Sequence, residues 1–149
     1  MTTRPLTAGV AGSLALLSAL HATWVFSSWP LPDRARFAEL IVGTSPEKVP
    51  AAAATSAVAA LLASASALVA RCGAPGRRPP PRIAVLGTRT VAGVLLARAV
   101  AGFVVSSSGL VDAPAAYRRL DLTVYSPLCL VLSAGAGCVA ATAHRTAAP

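Results

Sequence analysis

IAVLGTRTVAGVLLARAVAGFVV, Ile83 to Val105, is the stretch on which the reading of this chain turns. It is apolar enough and long enough for a bilayer, which takes about 20 residues at roughly 1.5 Å rise each. Two arginines interrupt it. Arg89 lies near the start, where a long side chain can snorkel to the headgroups. Arg98 lies just past the middle, where a guanidinium costs on the order of 3 kcal/mol even on the lenient insertion scale. Arg98 therefore needs a partner, and the remaining sequence is read for it.

The composition agrees with a membrane setting. Of 149 residues, 55% are hydrophobic and 12% charged, with a mean hydropathy of +0.67. Soluble domains carry about 25% charged residues. The net charge of +8 would suit a nucleic-acid partner, but the basic residues are scattered over loops and helix ends without an aromatic-rich basic face. They read as membrane-flanking charges, and no nucleic acid is expected. The length fits a single domain over residues 1–149.

Working outward toward the N-terminus, three further apolar stretches frame the chain with the first. Residues 6–26 form one of them. Arg4 ahead of it would suit a secretory signal, yet the run exceeds the usual core of about 7–15 residues and lacks a clean small-x-small cleavage site. His21 and Trp24, three apart, share a helix face near its end. Trp24 also fits an interfacial belt, with Trp29 just beyond. Pro30 and Pro32 then break the helix, and Asp33 is placed to cap a short one running to about Val42. There Phe37, Leu40 and Ile41 fall on one side and Arg34, Arg36 and Glu39 on others, as in a helix lying on a membrane surface.

Residues 50–70 are rich in Ala and Ser. Small residues at Ala52, Ser56, Ala60 and Ser64 predict a ridge that a neighbouring backbone approaches closely, and Gly93, Ala97 and Ala101 predict another. The connector RCGAPGRRPPPR, Arg71 to Arg82, holds four arginines and no acid. Residues 124–143 form the last stretch. Asp121 is the acid nearest its start, with Tyr125 four residues later on the same helix face, and Pro127 is acceptable in a first turn.

The expected fold is therefore all-α, an integral membrane bundle of four transmembrane helices. Six basic residues and no acid fall on the side of the termini and the Arg connector; five basic residues and all five acids fall on the other. The positive-inside rule then puts both termini in the cytoplasm of a multi-pass cell-membrane protein. Connectivity brings His21, Trp24, Arg98, Asp121 and Tyr125 toward the opposite, outer leaflet. Arg98 and Asp121 are expected to pair, with Tyr125 or His21 as a further hydrogen-bond partner.

Other chemistries lack their residues. No C-x-x-C occurs, and Cys129 and Cys138, nine apart, face opposite ways on a helix, so no intramolecular disulfide is expected. No His pair has metal-ligand spacing and no Gly-rich phosphate loop is present, so neither metal nor cofactor is expected. No span carries the carboxylate of a small proton-coupled exporter.

HATW at His21–Trp24, LARAVAGF around Arg98 and LDLTVYSPLCL from Leu120 resemble the four-helix integral membrane proteins of actinobacteria grouped as domain-of-unknown-function family 3995. The resemblance covers nearly the whole chain. It departs at Ser27-Ser28-Trp29-Pro30, where such proteins often show a Gly-rich turn. The resemblance implies the architecture and no activity. Two functions from different classes stay open. In one, the His21, Trp24, Arg98, Asp121 and Tyr125 cluster binds or transforms a small or lipid-like molecule, and His21 and Tyr125 are the titratable candidates for an enzyme. In the other, the chain is a non-catalytic membrane subunit whose polar cluster fixes helix packing. Beyond the bilayer, its partners would be such a ligand, a second copy or another membrane protein.

Overall fold

A computed structural model describes residues 4–74 and 80–147. Four long helices make an all-α bundle: α1 (Arg4–Trp24), α3 (Ala52–Cys72), α4 (Arg82–Ser108) and α6 (Ser126–Ala147). Two short helices, α2 (Arg34–Phe37) and α5 (Ala115–Leu120), lie in the connections at the Trp24 end. Each continues into a π-helical turn, Ala38–Val42 after α2 and Asp121–Tyr125 after α5. The second π turn runs straight into α6, so one continuous helix extends from Ala115. That helix and the other three long ones are long and apolar enough to cross a membrane, which makes this a multi-pass architecture.

Local chemistry sets the element ends. Asp33 Oδ1 accepts the Arg36 backbone N–H at 2.8 Å, the cap expected for the short helix. Gly43 and Gly109 close their helices at φ 76° and 67°, left-handed values that glycine adopts without Cβ strain.

The helices pack chiefly as two pairs, α1 with α3 and α4 with α6, and the pairs meet through α3–α4 and α1–α6. The core near the Arg4 end is built from Val10, Leu14, Val69, Ala84, Leu132 and Val139. Serine hydroxyls tie the helices by donating to carbonyls of a neighbour: Ser18 to Ala59, Ser66 to Ala11 and Ser133 to Ala92, each at 2.8 Å. A serine is narrow enough to let two helices approach closely, and its hydroxyl finds a partner across the interface.

Two expectations need correction. The small-residue ridges face outward: Ser56, Ala60, Ser64, Gly93, Ala97 and Ala101 are all exposed. The faces that pack are built from other positions, Ala59, Ala65 and Val69 on α3 and Ala84, Thr88, Ala99, Gly102 and Ser106 on α4. Composition could not choose the face because both faces of these helices carry small residues. The last span also starts earlier than residue 124, so Pro127 sits inside a helix rather than in a first turn. Proline there lacks an N–H and crowds the carbonyl four residues back, and the wide π turn before it accommodates both.

Gly76, Arg77 and Arg78 of the connector lie outside the described residues.

Candidate functional site

The five polar residues singled out in the sequence all belong to the Trp24 end of the bundle, where α1 ends, α3 starts, α4 ends and the last long helix begins. The structure divides them into two groups. Among the described residues no hydrogen bond, ion pair or ring contact joins His21 or Trp24 to Arg98 or Asp121.

The first group is an ion pair between α4 and the last long helix. Arg98 Nη2 donates to Asp121 Oδ1 at 2.8 Å, the direct pairing expected. Ser106 Oγ donates to Asp121 Oδ2 at 2.6 Å and Ser126 Oγ to Oδ1 at 3.2 Å. Both carboxylate oxygens are thereby engaged, and Asp121 is only 1% exposed. These two serines take the place expected for Tyr125 or His21. Arg98, Gly102 and Ser106 recur every four residues and lie on one stripe of α4. That spacing was a usable signal for Ser106. Ser126 had none, because residues five apart diverge on an α-helix. The π turn, closed by the Ser126 N–H on the Asp121 carbonyl, brings them to one side. Gly102 makes the approach possible. A Cβ there would run into Ser126 Oγ and Arg98 Nη1 and lie 2.9 Å from Asp121 Oδ2.

The second group is an aromatic ladder. The His21 ring lies 4.8 Å from Trp24, and Trp24 meets Phe37 of α2 edge-on at 5.3 Å. His21 Nδ1 lies 2.8 Å from the Leu17 carbonyl. A carbonyl only accepts, so Nδ1 carries the proton and Nε2 is left with its lone pair in the neutral ring. Trp24 Nε1 donates to the Trp29 carbonyl at 2.9 Å. The ladder borders an open cleft of about 900 Å³ between the end of α1, the α2 segment and the start of α3. Its walls include Arg34, Ile41, Ala52 and Val58.

Tyr125 belongs to neither group. Its hydroxyl donates to the Leu40 carbonyl at 3.1 Å, and its ring lies 6.1 Å from Tyr117. It fastens the α2 connection to the last helix. Tyr117 in turn presses on Gly43, where a Cβ would lie 2.6 Å from Cδ1.

Among the described residues no three His, Cys, Asp or Glu side chains come together to hold a metal. Cys72, Cys129 and Cys138 are all free thiols.

The family model described as "Protein of unknown function (DUF3995)" matches residues 14–136, most of the chain and both groups of residues above. The chain belongs to that family. No curated protein and no solved structure matches it.

Proposed function

We propose that this member of the family is a cell-membrane protein, both termini cytoplasmic, which takes a lipid-like molecule into the cleft beside His21 and Trp24 in the outer leaflet. The observation that carries the reading is the cleft itself. It is about 900 Å³, within the usual range for ligand sites, and combines aromatic and aliphatic walls with His21 and Arg34 at one end of the bundle. A molecule with one polar end and one apolar end matches such walls. The same end of the bundle adjoins the headgroup level if the four long helices span the membrane.

The Arg98–Asp121 centre supports the other reading for its own residues. An aspartate whose oxygens are already met by one guanidinium and two hydroxyls has little left for a ligand, so this centre fixes packing. Binding and helix locking are thus assigned to different parts of one bundle end.

A phosphatidylcholine analogue with a diazirine in its acyl chain tests the cleft. Irradiation should label the segments around residues 21–26 and 51–58 above the rest of the protein. Labelling spread evenly over all lipid-facing helices would leave only annular lipid and sink the reading. Reporter fusions at Thr44 and Gly76 test the orientation; Thr44 should read outside and Gly76 inside.

A further inference from the structure

We infer that the cleft selects lipid-like molecules carrying an anionic headgroup, with Arg34 as the group that recognises the charge. The inference rests on reading the cleft as a site for an amphiphile and adds which class of amphiphile it takes.

Charge balance around the cleft is one-sided. Two arginines sit on α2, and they differ. Arg36 Nη1 bonds Glu39 Oε2 at 2.8 Å and does not line the cleft. Arg34 lines it and forms no ion pair among the described residues. Among the described residues no Asp or Glu lines the cleft. Asp33, next in sequence, caps α2 through Oδ1 on the Arg36 amide and does not line the cleft. The wall opposite α2 is the start of α3, where Ala52 and Ala54 line the cleft. Ala51 offers that helix no side-chain cap. The first amides of a 21-residue helix therefore add positive potential on the same cleft. His21 contributes a polar edge whose Nδ1 is already engaged by the Leu17 carbonyl. A cation, a helix amino end and no carboxylate favour an anion, while the aromatic ladder and Val58 provide the apolar side for a chain.

Arg34 is exposed and its side chain forms no ion pair among the described residues, so Arg34→Gln should leave the bundle intact. Native mass spectrometry of detergent-purified full-length protein, with phosphatidic acid or phosphatidylcholine of identical chains added, reads the preference. The wild type should retain phosphatidic acid about tenfold more strongly, the scale of one charge-assisted hydrogen bond. Arg34→Gln should bring the two lipids level, Arg36→Gln should keep the preference, and Val58→Trp, which fills the cleft, should lower retention of both. Equal retention of the two lipids by the wild type would overturn the anion preference while leaving the amphiphile site standing. Retention of neither, or retention untouched by Val58→Trp, would remove the site itself. Inorganic phosphate bound as strongly as phosphatidic acid would overturn the lipid assignment in favour of a free anion.

Discussion

The two polar regions at the Trp24 end answer the same problem in opposite ways. Around Asp121, an ion pair and two hydroxyls close on one another until the carboxylate has no exposed surface to speak of. Around His21, rings meet tilted or edge-on in a row, and beside them Arg34 forms no ion pair among the described residues and a cleft stays open. A polar group in a membrane bundle is either satisfied by the protein or left to meet something else. The first kind is paid for in packing precision and should be sensitive to small changes of shape. The second should be tolerant in stability and sensitive in binding.

Four sets of substitutions sharpen this contrast, from the ion pair, with the largest expected effect, to the cleft, with the smallest. Removing one member of the pair leaves a charge without its counter-charge, so Arg98→Leu and Asp121→Leu should each cost about 3–5 kcal/mol of stability, measured by unfolding in mixed detergent. The double replacement should recover part of the loss; strictly additive losses would deny that the two residues act as a pair.

Gly102→Ala comes next. Its methyl would push into Ser126, Arg98 and Asp121, and overpacking of this kind costs about 1–3 kcal/mol. Gly93→Ala, on the exposed face of the same helix with nothing within 4 Å, is the control and should be neutral or slightly stabilising. Equal losses at both glycines would mean that the Gly102 effect is not local to the ion pair.

Ser106→Ala and Ser126→Ala remove one charge-assisted hydrogen bond each, at about 1.5–3 kcal/mol. Ser106, at 2.6 Å, should lie above Ser126, at 3.2 Å. The reverse order in the same unfolding assay would point to the π turn, rather than the carboxylate, as what Ser126 stabilises.

The cleft side should show the smallest stability effect. Arg34→Gln is expected to stay within about 0.5 kcal/mol of the wild type, as surface substitutions away from packed features do. A loss comparable to that of Gly102→Ala would erase the distinction between the closed and the open region.

What the sequence by itself determined is the set of quantities that depend on composition and spacing along one helix. Four apolar runs required four long helices, Asp33 ahead of Arg36 supplied a cap, and a mid-span Arg98 with a single nearby acid at Asp121 required their pairing, because an isolated charge in hydrocarbon is too costly. Tertiary structure alone decided which faces meet. Small residues line both sides of α3 and α4, so the ridges Ala52–Ser64 and Gly93–Ala101 read as contacts yet point outward. The divergence of His21 and Trp24 from Arg98 and Asp121 depended on the course of the α2 connection, which draws Trp24 to Phe37 and Tyr125 to Leu40. Ser126 reaches Asp121 only through the π turn ahead of Pro127, a change of helical pitch that no α-helical periodicity contains.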